Sequence, residues 1–391
     1  MKSLYQRVCF YIREFKHLIP IIIGYILSCF SSNKNTWIFI ERGYEAQDNA
    51  WILYKYVKHN YQQLKSYFAL SPQSNVFNVI SREESYSILR YGSIKYYYEL
   101  FLSKYIISTH VATFIPSLWL AGKLVGTRLY PKVKFVFLQH GIIHNDIKGL
   151  HYKNLSHPIN LFICGAKKEY DFVIKNFGYP NGVIKYTGLA RFDRLHNIEV
   201  KKQVLIMPTW RMNYKNLNNE EFIKTDYFEN YSKLLTNKEL LDALREYGYK
   251  ILFYNHYEFQ KFNSLFYEYE NEFIQIGKIG EITVQDLLKI SSVLVTDYSS
   301  VYYDFIYMKK PVLFFLFNQE EFYDQQYGSD LDNPLEYGDV VRDSGQLVKK
   351  IILCMESECK MDDVYLSNTR QLFQLYDNNN CKRIYESIIS L

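Results

Sequence analysis

The sequence lacks the motifs that mark several common protein classes. Its six cysteines form no Cys-x-x-Cys pair and no zinc-type spacing, which is typical of reduced core residues in a cytosolic protein. Neither Gly-x-Gly-x-x-Gly nor Gly-x-x-x-x-Gly-Lys-Ser/Thr occurs, which excludes the dinucleotide fingerprint and the P-loop. We therefore expect no cofactor, and the prediction includes no metal.

Concentrated charge and a long apolar run are also missing. Lys and Arg are scattered around a net charge of +5, so no nucleic-acid partner is expected. The apolar run at 17–30, HLIPIIIGYILSCF, is shorter than the ~20 residues that span a bilayer, and no cleavage site follows it. Its basic flank (Lys2, Arg7, Arg13 and Lys16) favours peripheral attachment to the cytoplasmic face of an anionic membrane. The alternative is a buried first helix of the fold.

What the sequence does contain is a series of short apolar runs. Because these runs are apolar throughout, they predict strands buried on both faces of a parallel sheet. Helical patterns separate many of them, as in residues 46–64, where Ala50, Leu53, Tyr54 and Val57 share one face. The predicted strands are 36–41, 75–80, 105–109, 134–140, 161–166, 184–188, 203–210, 250–256, 273–277, 293–297 and 311–317.

The alternation of strands and helices predicts an α/β fold with two Rossmann-like, doubly wound domains that face a cleft. A chain of 391 residues is too long for one ordinary core, which also favours two domains. The polar stretch 196–203 is the expected hinge. The predicted parts are a membrane-associating segment (1–30), an acceptor-side domain (31–197), a donor domain (198–361) and a C-terminal helix that packs on the first domain (362–391).

Two histidines stand at predicted strand ends, one in each half of the chain. In an open parallel sheet, ligands bind beyond the carboxyl ends of the strands. His140 ends the run FVFLQH, and the following Gly141 allows close approach of a substrate. His256 ends the run ILFYNH after Asn255. The imidazole pKa lies near neutrality, so both histidines are candidate catalytic groups, with His140 as a general base.

Other polar residues at strand ends are further candidates for the cleft. Arg211 follows the run LIMPTW, and its planar guanidinium suits phosphate oxygens, although it could equally be a surface residue beside Trp210. Arg191 and Asp193, just ahead of the hinge, could form an interdomain salt bridge or contact a ligand. Near the start of the chain, Asp48 or Asn49 could cap a helix, which leaves Glu41 as the freer group. These candidates are Glu41, Arg42, Asp48, Asn49, Arg191 and Asp193.

The stretch VLVTDYSSVYYDF predicts a phosphate site between a strand and a helix. An apolar strand would end at Thr296 and Asp297, and a turn with Ser299 and Ser300 would lead into the helix. Unpaired N–H groups at a helix start attract anions, and serine hydroxyls add donors. Asp304, one turn further on, could reach a polyol or ribose hydroxyl. The alternative is that Ser299 is only an N-cap.

Taken together, these segments resemble the CDP-glycerol glycerophosphotransferase family of teichoic acid and capsule polymer primases and polymerases. The matching stretches run from about residue 36 to about residue 320. They are ERGYEAQDNAWILYKYV, YGSIKYYYELFLSKYIIST, FLQHGIIHND, TGLARFDRL, MPTWR and VTDYSSVYYDFIYMKKPVLFF. Compared with the family, we expect no long N-terminal extension before the short apolar segment, and the sequence reads HGIIHND where some members have an HGTP-like form.

The resemblance implies a GT-B-like fold, peripheral association with the cytoplasmic face of the membrane, and transfer of glycerol phosphate from CDP-glycerol to a polymer or lipid-linked acceptor with release of CMP. It also implies that His140 is the base, that His256 contacts phosphate, and that Ser299, Ser300 and Arg211 hold the diphosphate. Alternatives are a CDP-ribitol phosphotransferase, an inverting GT-B glycosyltransferase and a non-catalytic membrane adaptor. The polyol, the acceptor and assembly into a homo-oligomer are left open.

Overall fold

The structure is a computed structural model that describes residues 15–32, 34–82, 87–111, 133–155, 157–318 and 334–391. Residues 1–14 of the predicted membrane-associating segment lie outside this set. The chain divides into two compact units. Unit 1 comprises Met1–His140, Ile147–Arg194 and Asp377–Leu391, and unit 2 comprises Gly141–Asp146 and Leu195–Tyr376.

Unit 1 is built on a parallel sheet. Its strands are β1 (Thr36–Ile40), β2 (Ser66–Leu70), β3 (Ile88–Arg90), β4 (Ser103–Ser108), β5 (Lys134–Phe137), β6 (Leu161–Cys164) and β7 (Ile184–Tyr186). In the described part of the chain their order is β3-β2-β1-β4-β5-β6-β7, and every pairing is parallel. The central strand β1 is buried along its whole length, as its uniformly apolar sequence predicts.

The helices of unit 1 cover this sheet. They are α1 (Leu18–Cys29), α2 (Asn49–Asn60), α3 (Phe77–Ile80), α4 (Ile94–Phe101), α5 (Lys167–Asn176) and α13 (Asn380–Ile389). The predicted apolar face of α2 is confirmed, because Ala50, Leu53, Tyr54 and Val57 have no exposed surface. Helix α1 packs against α4, where Gly24 lies so close to Tyr97 that a Cβ atom would be 2.7 Å from its side chain.

Unit 2 repeats the same architecture. Its strands are β8 (Gln203–Ile206), β9 (Lys250–Phe253), β10 (Ile274–Ile276), β11 (Val293–Thr296), β12 (Val312–Phe315) and β13 (Asp339–Val341). Its helices are α6 (Asn219–Phe222), α7 (Asp226–Leu235), α8 (Lys238–Tyr247), α9 (Val284–Ile290), α10 (Val301–Tyr307), α11 (Ser344–Glu356) and α12 (Asp363–Leu372). The described strands are all parallel, in the order β10-β9-β8-β11-β12-β13. The predicted class, two doubly wound α/β sheets, is confirmed.

Two of the predicted elements are wrong. Residues 75–80 do not form a strand, since Phe77–Ile80 is a helical turn in which only Ile80 is buried and Val79 is 65% exposed. The segment 362–391 is not one helix but α12 and α13, because Phe373 ends α12 and the polar DNNN sequence precedes α13. Strands β2, β3 and β13 were not predicted.

Both sheets reverse their strand order at one point, between β1 and β4 in unit 1 and between β8 and β11 in unit 2. In open α/β sheets this switch point is where a crevice forms beyond the carboxyl ends of the strands. The residues that follow β1, β4, β8 and β11 are therefore candidates for ligand binding. Among the described residues, no helix combines the length and the apolarity needed to cross a membrane.

Candidate active site

In unit 1, the backbone at the end of β5 is held in an unusual conformation. Gln139 has a φ angle of 61°, in the left-handed region that a side chain with a Cβ seldom adopts. Asn49 Nδ2 donates to the Gln139 carbonyl at 2.9 Å, and Arg191 Nη1 donates to the His140 carbonyl at 3.0 Å. Arg191 Nη1 also donates to Asp48 Oδ1 at 3.0 Å, which anchors the guanidinium. These bonds fix the main chain that presents His140.

His140 is an exposed residue, and its imidazole packs against a neighbouring ring. The ring of His110 lies parallel to it, with centroids 4.9 Å apart and an interplanar angle of 6°. Desolvation lowers the pKa of His140, and the charges of Arg42 and Arg191 lower it further. The charge of Asp48 and a backbone hydrogen bond with Thr109 act in the opposite direction. His140 is therefore neutral at pH 7, as a general base must be.

Glu41 proves to be a structural residue, so the expectation that it is the freer group is wrong. The residue is 1% exposed, and both of its oxygens accept backbone hydrogen bonds at 2.9–3.1 Å, from Gln47, Asp48 and Trp51. Burial and the neighbouring charge of Asp48 raise the pKa of this carboxyl. Glu41 therefore closes the loop between β1 and α2, and Asp48 caps α2 by accepting from Asn49 N at 2.8 Å.

Arg191 and Asp193, which were considered as a pair, have separate partners within unit 1. Arg191 bonds Asp48 and the His140 carbonyl, as described above. Asp193 accepts hydrogen bonds from the backbone N–H groups of Asn380 at 2.8 Å and Cys381 at 2.9 Å. Asp193 thus ties down the start of α13, whereas Arg191 supports the loop that bears His140.

In unit 2, Arg211 and Asp297 form a buried ion pair. Arg211 Nη2 donates to Asp297 Oδ2 at 2.9 Å, and the two side chains are 3% and 0% exposed. The other oxygen of Asp297 accepts from the backbone N–H groups of Thr209 at 2.8 Å and Tyr298 at 2.7 Å. The pair therefore joins the loop after β8 to the turn after β11, at the switch point of this sheet. Arg211 is therefore buried, so the alternative of a surface residue beside Trp210 is wrong.

The turn between β11 and α10 keeps its serines accessible. Ser299 and Ser300 are half-buried, and Ser299 Oγ accepts from Val301 N at 3.4 Å. Gly141, which belongs to unit 2, lies against this turn, since a Cβ atom on it would be 3.2 Å from Ser300 Oγ. Two other predicted residues are buried beside the turn. Thr296 donates to the Met207 carbonyl at 2.7 Å, and Asp304 is 6% exposed on α10.

His256 lies at the end of β9 with a defined tautomer. Its Nδ1 atom accepts from Glu258 N at 3.3 Å, so the neutral ring has its proton on Nε2. Trp210 stacks on the ring with centroids 6.0 Å apart. The preceding Asn255 has no exposed surface, and its amide accepts from the Tyr227 hydroxyl at 2.8 Å. Asn255 is therefore part of the support beneath His256 rather than a group that a ligand can reach.

Sequence reasoning missed His110, the stacking partner of His140. The predicted strand 105–109 stopped one residue short of it, although STH at the end of that run is the same strand-end signal that identified His140. Asp330 and Asp332 form an Asp-x-Asp pair in the sequence, and both lie outside the described residues. Within the described ranges, no group of three His, Cys, Asp or Glu side chains could hold a metal ion.

Comparisons with known proteins identify relatives along most of the chain. The sequence profile of the CDP-glycerol:poly(glycerophosphate) glycerophosphotransferase family matches residues 23–390. The minor teichoic acid biosynthesis protein GgaB of Bacillus subtilis is 30% identical over 96% of this chain and 42% of its own length. The teichoic acid glycerol-phosphate primase of the same organism is 29% identical over 53% of this chain and 52% of its own length. The chain thus spans about half the length of these relatives.

A solved structure has the same fold. The wall teichoic acid polymerase TagF superposes with a TM-score of 0.68 over 99% of this chain and 97% of that chain, at 16% sequence identity. At this identity the likeness concerns the fold, and it agrees with the two GT-B-like Rossmann units described above.

Proposed function

Because the chain belongs to the CDP-glycerol:poly(glycerophosphate) glycerophosphotransferase family, we propose that it transfers glycerol phosphate from CDP-glycerol to a hydroxyl group of a teichoic acid polymer or of its lipid-linked acceptor. The observation that supports this most strongly is His140. The residue is exposed, its pKa is lowered by desolvation, and its backbone carbonyl is held by Arg191. A neutral imidazole of this kind can accept a proton from an attacking hydroxyl.

The proposed reaction is a displacement at the β-phosphorus of the donor. The acceptor oxygen forms a bond to this phosphorus while its proton moves to an imidazole nitrogen of His140. The bond between the β-phosphorus and the bridging oxygen breaks, and CMP leaves with the electron pair. General base catalysis of this kind contributes roughly 10²–10⁴-fold to the rate.

Residues of unit 2 are proposed to bind the diphosphate of the donor. His256 Nδ1 accepts from Glu258 N, so the neutral ring carries its proton on Nε2, and this Nε2–H group is the proposed donor to a phosphate oxygen. The half-buried Ser299 and Ser300 add hydroxyl groups. Arg211 has a different role from the one first expected, since its charge is paired with Asp297 and it holds the turn that presents these serines. Donors of this kind stabilise charge that develops during displacement.

Replacing His140 by alanine tests the base assignment. We expect His140→Ala to slow CMP release from CDP-glycerol by roughly 10²–10⁴-fold with the acceptor present. His59→Ala is the matched control, because His59 is exposed at the end of α2 and takes no part in the site. CMP release by His140→Ala at the wild-type rate would show that the assignment is wrong. Release of CDP or UDP from a nucleotide sugar would instead indicate a glycosyltransferase.

Helix α1 supports the further proposal that the enzyme works at the cytoplasmic face of the membrane. One side of α1 packs on α4, while apolar side chains elsewhere on it are open to solvent: Ile19 is 67%, Ile22 45% and Ile26 52% exposed. Phe30, directly after the helix, is 85% exposed. The lysines near this surface, Lys16, Lys34 and Lys95, are also exposed. Apolar surface beside basic residues suits an anionic lipid interface.

Vesicle sedimentation tests this proposal. We expect the wild-type protein to sediment with phosphatidylglycerol vesicles and the double variant Ile19→Asp/Ile26→Asp to stay in the supernatant. Val364→Asp, on an equally exposed apolar residue of α12, is the control and should sediment like the wild type. Equal sedimentation of the α1 variant and the wild type would contradict the proposal.

A further inference from the structure

Arg42, His110 and His140 form a connected group at the switch point of the first sheet. Arg42 follows β1 and His110 follows β4, and these are the two strands between which the strand order reverses. His140 follows β5, the next strand along. The carboxyl ends of neighbouring parallel strands meet at one edge of a sheet, which brings the three side chains together.

Hydrogen bonds fix the orientation and the tautomer of His110. Arg42 Nε donates to His110 Nε2 at 3.0 Å, so this nitrogen has no proton of its own. The other nitrogen, Nδ1, lies 2.8 Å from Thr109 Oγ1, and the His110 backbone N–H donates to Ser108 Oγ at 3.0 Å. The neutral ring therefore has its proton on Nδ1, and its plane is set from both ends.

The ring of His110 is in turn a platform for His140. The two imidazoles are nearly parallel, at 6° and 4.9 Å between centroids, so the plane of His110 sets the plane of His140. Only one ring of such a stack readily becomes charged, because two like charges at this distance repel each other. His110 is the ring that stays neutral, since burial, His140 and the charge of Arg42 lower its pKa to about 3.

We propose that His110 is a positioning residue for proton transfer, which holds the imidazole of His140 through the stack and is itself held by Arg42. This inference rests on the proposed function, in which His140 is the base. Among the described residues, the charges that act on His140 include those of Asp48, Arg42 and Arg191, and the titratable ring of His110 is stacked on it. The acceptor's proton thus passes to His140, while His110 keeps its own proton on Nδ1.

Two substitutions of His110 test whether its stacked ring is what positions His140. His110→Ala removes the ring, and we expect kcat to fall by up to roughly 10²-fold, the loss typical of a misplaced catalytic group, with the KM for CDP-glycerol unchanged. His110→Phe keeps an aromatic ring in the stack and should restore most of kcat. Thermal denaturation of both variants verifies folding, and His110→Phe keeps the test available if His110→Ala does not fold.

Substitution of Arg42 provides a readout that a purely structural role would not change. Loss of its positive charge raises the pKa of His140, and the base is active only when it is neutral. For Arg42→Gln, the acidic limb of the kcat/KM profile should therefore move to higher pH. Arg42→Lys keeps the charge and should leave the limb close to its wild-type position. Arg42 is exposed, so neither variant should impair folding.

The outcomes separate this inference from the proposed function. If His140→Ala is inactive while His110→Ala retains wild-type kcat and an unchanged pH profile, the positioning role is wrong and the base assignment stands. If His110→Phe loses as much activity as His110→Ala, stacking is not the basis of positioning, and the inference is also overturned. If His140→Ala is active, the proposed function fails first.

Discussion

Arg211 and Asp297 form a buried ion pair that supports the loops of the proposed donor site. A buried ion pair gains little net stability over an apolar one, because both charges lose their hydration. Removing one partner is costly, since the other charge is then buried alone. Here the pair also connects the loops after β8 and β11 through the backbone N–H groups of Thr209 and Tyr298. Its loss should therefore affect both stability and the donor site.

Replacement of Arg211 by leucine tests this role. We expect Arg211→Leu to lower the free energy of unfolding by about 3–5 kcal/mol, because Asp297 loses its buried partner. Arg245→Leu is the matched control, as Arg245 pairs with Asp242 on the surface of α8, with side chains 62% and 57% exposed. Surface pairs contribute little, so its loss should be far smaller. Urea denaturation gives both values, and equal losses would contradict the argument.

Gly141 is a residue at which one methyl group should matter. A Cβ atom there would lie 3.2 Å from Ser300 Oγ, which is closer than most packed side chains allow. We expect Gly141→Ala to displace the Ser300 hydroxyl and lower kcat/KM for CDP-glycerol, while the melting temperature changes little. Gly149→Ala is the control, because nothing lies within 4 Å of a Cβ atom at that position. Wild-type kinetics in Gly141→Ala would exclude Ser300 from donor binding.

At the scale of elements, helix starts were predictable where the cap is encoded locally. The pattern Thr283-x-x-Asp286 is a local signal for a helix start, and Asp286 N donates to Thr283 Oγ1 at 3.1 Å. The pattern Thr236-x-x-Glu239 gives the same signal, but the N-cap of α8 is Asn237, whose side chain accepts from Leu240 N at 2.9 Å. Thr236 instead ends α7, and its hydroxyl donates to the Ser232 carbonyl at 2.8 Å, so it does not cap α8.

The last helix depends on a contact that is remote in sequence. Asp193 accepts the first N–H groups of α13, and Tyr385 of α13 stacks on Tyr61 with centroids 3.8 Å apart. We expect Asp193→Ala to lower the free energy of unfolding by about 1–2 kcal/mol, the usual loss of a helix cap. Asp171→Ala, on an exposed pair in α5, should have a smaller effect. Chemical denaturation measures both, and an unchanged midpoint for Asp193→Ala would contradict this role.

At the scale of the whole molecule, each unit has its own sheet and its own switch point. The proposed donor groups, His256, Ser299 and Ser300, all belong to unit 2. A ligand that binds only the folded protein stabilises it by an amount set by its concentration relative to Kd, about 2.7 kcal/mol at a hundredfold excess. Stabilisation by the donor therefore reports on the site in unit 2 separately from catalysis.

Thermal denaturation with CDP-glycerol tests this arrangement. We expect the donor to raise the melting temperature of the wild type and of His140→Ala, because His140 acts on the acceptor hydroxyl. The shift should be much smaller in His256→Ala, which lacks the Nε2–H donor. If His256→Ala responds as strongly as the wild type, His256 does not contact the donor.

The sequence alone determined the class of fold and gave the candidate positions for a site within it. Uniformly apolar runs can be buried only in a sheet covered on both faces, so they predicted parallel strands, and the polar residues that end those runs predicted His140, His256 and the turn at Ser299. Strands β2, β3 and β13 were not predicted from such runs.

Tertiary structure decided what each polar residue does. Glu41 and Asp297 look alike in sequence, because each is a carboxylate after a strand. Both accept hydrogen bonds from backbone N–H groups that only folding brings near, those of Asp48 and Thr209. His110 gained its role from β4 and β5 lying side by side, a neighbour relation that strand pairing creates. Local patterns specify periodicity and caps, whereas partners distant in the chain are fixed only when the sheets form.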